Sequence, residues 1–436
     1  MRHGRLLVLV LLVLALTAPA PAAAGPIAHR EVLPNGVVLL VAERPGVPIV
    51  AVRVFTAAGS AFEPPARAGL ASLTGALLTR GTARHTGPQI DEAIEFVGGS
   101  LEAGAARDGL TASLSVLKRD LGLGLDLLSE VVLTPTFPDA ELKRKVQQIQ
   151  AAIKRSEEDP NTVAARALAR LVFAGHPYAS PVEGTISSVG TLTRDDVVGF
   201  YQGHVRPDRT IIAVVGDVTV AEARREIQAR FGAWARPSRP APAAPPAAAS
   251  APTKSETITK DLTQATIMLG RQAIRQVDPD YFPLAVASYV LGGGSASRLY
   301  ARVRDEGGLA YAVYSYVSPA RYGASFTVSA QTRVGEVLRV GDILREELAR
   351  MTRDPVTDDE LRLAKDYLIG SFPLRLDTTA KVADFVVAIE EQGLGLDYAD
   401  RYKAGIARVT AADVRRAAGR FFGPDAFSRV VVGAAK

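Results

Sequence analysis

The stretch from Val189 to Gly216 recurs, without a gap, between Ile406 and Gly433. Val189, Leu192, Thr193, Asp196, Val197 and Val214-Val215-Gly216 stand 217 positions before Ile406, Val409, Thr410, Asp413, Val414 and Val431-Val432-Gly433. Both copies carry the pattern of a Thr-capped helix followed by a buried strand that stops at glycine. The order of patterns around them also repeats: strands, helices, paired strands, then a run of helices. A repeat of that length confines the chain to two copies of one unit, and the mixture of strand and helix periods makes that unit α+β. Between the copies lies 236–254, beginning Arg236-Pro237-Ser238-Arg239-Pro240, with too much proline and too little bulk to pack. It is expected to be an extended, semi-rigid linker. The expected domains are 25–235 and 255–436.

Residues 1–24 read as a secretory signal peptide: a basic start with Arg2 and Arg5, an aliphatic run from Leu6 to Leu16, and a small-residue exit ending Ala22-Ala23-Ala24. That run is short for a membrane span, and no later stretch is longer, so the mature chain is expected to be soluble and periplasmic or secreted. Cleavage removes two arginines and no acid, which takes the net charge from +5 to +3. With no Lys/Arg-rich block, so small a charge argues against nucleic acid as a partner. The absence of cysteine from all 436 residues excludes disulfides and thiolate metal sites, so the fold must rest on its apolar cores.

In the first copy, Asn35-Gly36 between apolar runs predicts a hairpin over 27–42, and Gly69–Leu78 predicts an apolar helix. In the second copy, an apolar helical run over Phe282–Leu291 meets Gly292-Gly293-Gly294. A helical pattern resumes over Arg298–Glu306, Gly307-Gly308 stops it, and Tyr311 opens a strand. That order places Arg304 and Tyr311 at one glycine-softened corner, where a guanidinium and a phenol could clamp a peptide carbonyl or a developing oxyanion. By spacing alone the plainer reading leads, since an arginine on a short helix is usually a solvated charge and a strand tyrosine usually a packing residue. The corner is not a phosphate loop, because its glycines follow a helix and Gly-x-x-x-x-Gly-Lys-Ser/Thr is absent.

Several stretches, in this order and spacing, resemble the pitrilysin/insulinase metallopeptidase family. They are Leu33-Pro34-Asn35-Gly36, Gly59-Ser60 with Glu63-Pro64-Pro65, Gly69-Leu70-Ala71, Arg80-Gly81-Thr82, Gly98-Gly99-Ser100-Leu101, Pro135-Thr136-Phe137-Pro138 and His176-Pro177-Tyr178. The resemblance spans nearly all of the mature sequence. It implies two tandem homologous α/β-sandwich domains of the type in pitrilysin and mitochondrial processing peptidase. Catalytic members carry His-x-x-Glu-His directly after Gly-Leu-Ala, with two zinc ligands and a base on one helix. Here Ser72 and Ala76 stand in the places of the histidines and Gly75 in the place of the base. A later glutamate ligand and its supporting glutamate are replaced by Ala152 and Lys145. Zinc needs three protein ligands and an open position, and the remaining histidines (His29, His85, His176, His204) share no ligand spacing. They are expected at surface or loop positions, with no metal bound by this chain.

The resemblance also implies that an Arg and a Tyr seven residues apart, in the second domain, reach the zinc-bound substrate. Arg304 and Tyr311 match that pair. Some members divide the labour between two chains, one with the zinc motif and one with the Arg/Tyr pair, and this sequence looks like the second. The expected function is a non-catalytic subunit, inactive alone, whose Arg304 and Tyr311 act in trans on a peptide held by a homologous zinc-bearing partner. An inactive scaffold or peptide-binding protein of the same fold is the alternative. A serine hydrolase is excluded, because Gly294-Ser295-Ala296-Ser297 lacks the closing glycine of a nucleophile elbow.

Overall fold

The computed structural model describes residues 25–434, so the predicted signal peptide lies outside the described residues. Eleven strands among them form two sheets. The first half contributes β1 (His29–Val32), β2 (Val38–Glu43), β3 (Ile49–Thr56), β4 (Ser100–Ala105), β5 (Leu110–Leu117) and β6 (Thr210–Gly216). The second contributes β7 (Ser255–Thr259), β8 (Gln264–Ala273), β9 (Ala310–Ser318), β10 (Ala324–Arg333) and β11 (Ser428–Ala434). The sheet orders are β1-β2-β6-β3-β5-β4 and β7-β11-β8-β10-β9. In both, one parallel pair (β2 with β6, β7 with β11) is followed by antiparallel neighbours. The second sheet therefore repeats the first, less β1, and β4 and β9 are corresponding edge strands.

The duplication extends to the helix caps. Thr193 and Thr410 each form a capping box with an aspartate three residues on. The strands that follow carry Gly216 and Gly433, both with positive φ, at or next to their ends. At the start of the chain Asn35-Gly36 makes the expected hairpin, with Gly36 at φ 95° and the Leu33 amide donating to the Val37 carbonyl at 2.8 Å.

The first-half helices are α1 (Leu70–Leu77), α2 (Gly87–Phe96), α3 (Leu121–Leu133), α4 (Asp139–Ser156), α5 (Pro160–Val172), α6 (Ile186–Gly190), α7 (Arg194–His204) and α8 (Val220–Phe231). The second half has α9 (Tyr281–Gly292), α10 (Val337–Arg353), α11 (Asp358–Gly370), α12 (Thr379–Glu391), α13 (Tyr398–Arg408) and α14 (Ala411–Phe421). No helix among the described residues is long and apolar enough to cross a membrane.

One packing feature was invisible in the periodicity. Each half covers one face of its own sheet and supplies one helix to the other half's sheet. Ala164, Ala167, Leu168 and Val172 of α5 pack on Met268, Val430 and Val432 of the second sheet. Val382, Ala383, Val386 and Val387 of α12 pack on Leu40, Ala42, Ala51, Ala213 and Val215 of the first. Contact at the first of these is so close that a Cβ on Gly270 would lie 2.6 Å from the Leu168 side chain. Polar ties reinforce the seam: Arg53 Nε reaches Asp384 Oδ1 at 2.6 Å and Arg30 Nη2 reaches Glu390 Oε1 at 2.8 Å.

The linker has no helix or strand over 237–254, as its composition predicts, but it does pack. A proline-rich segment makes no internal hydrogen bonds, so its carbonyls are free to accept from neighbours. Arg206 donates to Arg239 and Pro240 (2.9 and 3.1 Å), Arg209 to Pro242 (3.2 Å), and Pro246 lies 3.0 Å from His176 Nε2. The segment is strapped to the surface by basic side chains.

Glu391, the last residue of α12, has a side chain only 9 % exposed. Arg321 approaches it at 3.7 Å, within reach of charge attraction but beyond a hydrogen bond, and its Oε1 has no partner among the described residues. Burial, and then the charge of Asp108, push its carboxyl up to about 7.

Two outcomes follow for stability. Because each sheet needs a helix from the other half, the chain should unfold in one transition. Leu168→Ala should lower that single transition by about 2–4 kcal/mol, with Trp234 fluorescence (the lone tryptophan, in the first half) and circular dichroism moving together. Separate transitions would contradict the exchange. A carboxyl that binds its proton more tightly folded than unfolded stabilises the fold at low pH. That contribution is lost as pH rises from the ordinary range near 4.5 through about 7. Stability should therefore fall across that window. Glu391→Gln should flatten the fall and melt about 1–3 kcal/mol more stably at pH 8; an unchanged pH slope would refute the assignment.

Candidate functional site

Helix α9 ends at Gly292, and an irregular turn carries the chain to residue 298. The helical pattern expected over Arg298–Glu306 is present, but over Tyr300–Glu306 the backbone is a π-helix. Such wide turns are rare and cluster at functional positions. Three arginines leave this segment. Arg298 Nε meets Glu360 Oε1 at 2.6 Å and Arg302 Nη1 meets Glu347 Oε1 at 2.7 Å, which fixes the segment against α11 and α10. Arg304 has no carboxylate partner among the described residues. It donates through Nη1 to the Tyr311 carbonyl at 3.1 Å, and its Cζ lies 4.8 Å from the ring centroids of both Tyr300 and Tyr311. The guanidinium is therefore held between two phenol faces while most of its N–H donors remain unspent.

Tyr311 also occupies a backbone irregularity. On the partner strand Gln331 pairs with Ala312 and Thr332 with Ala310, so Tyr311 is the extra residue of a β-bulge. Bulges re-aim a side chain and interrupt the ladder. The residue is 78 % exposed. The next outward residues of this edge strand, Tyr314 and Tyr316, are also exposed, with ring centroids 6.0 Å apart. Sequence spacing brought Arg304 and Tyr311 to one corner; it missed Tyr300, for which the one available signal was an aromatic four residues before the arginine.

The corresponding place in the first half is closed. Ser72, Gly75 and Ala76 lie on α1, which packs on edge strand β4. A Cβ on Gly75 would stand 2.7 Å from the Gly104 carbonyl carbon and 2.9 Å from the Ala105 nitrogen. Where the resemblance calls for a glutamate base, helix and strand backbones touch. Ala152 is exposed on α4, and burial holds the Lys145 amine below its ordinary range. Among the described residues no group of three or more His, Cys, Asp or Glu is placed to hold a metal ion. The residues present do not fit the zinc ion that the resemblance implies. Glu63, unassigned in the sequence reading, caps this helix. Its carboxylate accepts from the amides of Gly69 (3.0 Å) and Ala71 (2.5 Å), while burial pushes it up to about 7.

The expectation of surface or loop positions needs correction at His204, half-buried at the end of α7; His176 does lie in a loop. His176 is buried, accepting from the Tyr178 amide at 3.2 Å through Nδ1, with Nε2 on the linker carbonyl of Pro246. His204 stacks on Phe200 at 4.5 Å, and burial with nearby Arg209 and Arg239 pushes it down to about 4. Both are packing residues, because the aromatic pocket and the strapped linker are assembled from distant parts of the chain.

Residues 38–186 match the family model described as insulinase (peptidase family M16), and residues 191–368 match that of the peptidase M16 inactive domain. An uncharacterized zinc protease of Streptomyces coelicolor is 30 % identical over 394 residues, covering 89 % of this chain and 86 % of that one. Another, from Bacillus subtilis, is 27 % identical, covering 79 % and 83 %. A crystal structure of a peptidase M16 inactive domain from Pseudomonas fluorescens superposes with a TM-score of 0.88 at 27 % identity, covering 94 % of this chain and 98 % of that one.

Rebuilding the motif as Ser72→His, Gly75→Glu and Ala76→His should not restore a metal site. The glutamate has no room against β4, so the triple variant should lose about 3 kcal/mol or more of stability. Elemental analysis after dialysis should find zinc well below one per chain. A stably folded variant retaining one zinc per chain would contradict the closure.

Proposed function

The chain belongs to the insulinase family of peptidases (peptidase family M16), and from that premise we propose that it is the metal-free member of a two-chain peptidase. One observation carries this reading: where the base would stand, helix and strand backbones touch and no ligand set is gathered among the described residues, while Arg304 is braced beside Tyr311 with no carboxylate partner among them. A scaffold with no role in chemistry has no use for an uncommitted guanidinium braced between aromatic rings. The homologous partner would carry the zinc site. This chain, exported to the periplasm or beyond by the segment read as a signal peptide, would close over a peptide substrate with it.

The chemistry this chain's own residues perform is electrostatic. The scissile carbonyl oxygen gains charge as the carbon becomes tetrahedral. A guanidinium N–H and a phenol O–H at fixed positions stabilise that charge more than they stabilise the neutral carbonyl. Being held in place beforehand, they need no reorganisation during the reaction. The exposed edge strand β9, with the Tyr314 and Tyr316 rings beside it, suits an extended peptide that adds as a further strand.

The test uses the complex that co-purifies with the full chain from its own cells, assayed on fluorescein-labelled casein. Arg304→Ala and Tyr311→Phe should each lower turnover about 10²–10³-fold, roughly 3–4 kcal/mol, without loss of complex on gel filtration. Full activity of both variants in intact complexes would leave the scaffold as the reading.

A further inference from the structure

We propose that Tyr300 is a positioning residue, the fixed plate that holds the Arg304 guanidinium where substrate meets it. This rests on the role proposed above for Arg304. Tyr300 and Arg304 are four residues apart in the π-helix. In an α-helix such a pair is rotated past alignment by part of a turn; the wider i→i+5 turn brings them almost directly one above the other. Their geometry is that of a cation over a ring face, at 4.8 Å.

The two rings that bracket Arg304 differ in how they are held. Tyr311 is largely exposed on its bulge, open to a ligand. Tyr300 is half-buried and packs against the main apolar core of the second half. When a substrate draws on the phenol of Tyr311, the Tyr300 face continues to hold the guanidinium. The π-turn then has a physical purpose: it aligns a core-anchored ring under the cation. Arg298 and Arg302, paired to Glu360 and Glu347, keep that turn in place from outside.

The experiment has two arms. In a ¹H–¹⁵N spectrum of the full chain alone, the Arg304 Nε–H signal is identified as the one lost in Arg304→Lys. Ring currents should place it upfield. Tyr300→Phe, which keeps the ring face, should leave it there, and Tyr300→Leu should return it toward the position of a free arginine. In the co-purified complex on labelled casein, Tyr300→Leu should lower kcat about five- to thirty-fold, with KM and assembly unchanged, while Tyr300→Phe stays within about twofold. If Tyr300→Leu yields little folded protein, Tyr300→Met repeats both arms. An unmoved resonance and a wild-type kcat in these variants would overturn the inference, even with Arg304→Ala inactive. A resonance that moves while Arg304→Ala remains fully active would uphold Tyr300's hold on Arg304 and overturn the catalytic reading instead.

Discussion

The exchange of α5 and α12 between the halves is the constraint on which the rest of the molecule depends. Each sheet has two apolar faces, and each half has enough helices for one of them. Burying the second face of both sheets therefore requires each half to reach across. Leu168 presses on the second sheet closely enough to exclude a side chain at position 270, and Val382 to Val387 lie on alanines and valines of the first. That double contact fixes the two edge strands, β4 and β9, relative to one another. Whatever chemistry the edges carry is built on a single rigid body.

The two edges differ in opposite senses. At β4 the helix lies so close that Gly75 meets strand backbone, and the side chains at the motif positions are a hydroxyl, a hydrogen and a methyl. At β9 the corresponding corner keeps two departures from regular geometry, a π-turn under Arg304 and a bulge at Tyr311. Each departure gives up regular ladder or helix bonding, and each delivers one donor of the pair. Two such departures stand side by side, with an arginine left out of the ion pairs that its neighbours Arg298 and Arg302 form, and the role proposed for the corner rests on them.

Much of this was legible in the residues. Thr193 with Asp196 and Thr410 with Asp413 announced the duplication because capping boxes are local chemistry; Asn35-Gly36 announced the hairpin for the same reason. The blank zinc motif could be read position by position, and Arg304 and Tyr311 came together because the elements between them are short. What could not be read lies in tertiary structure. A π-turn and an α-turn share one apolar pattern, a bulge shifts register without altering composition, and the burial of His176 depends on a linker strapped by arginines thirty or so positions upstream. The crossing of α5 and α12 is likewise silent, since an apolar stripe does not say whose sheet it covers.

The central claim is that this molecule is one half of a working pair. It is tested most directly by native mass spectrometry with metal analysis of the assembly taken from the cells that make it. The account predicts one copy of this chain with one homologous chain, a single zinc ion that leaves with the homologue on dissociation, and peptide cleavage that appears only when the two are recombined. This chain isolated by itself, cutting peptides or holding stoichiometric zinc, would contradict it.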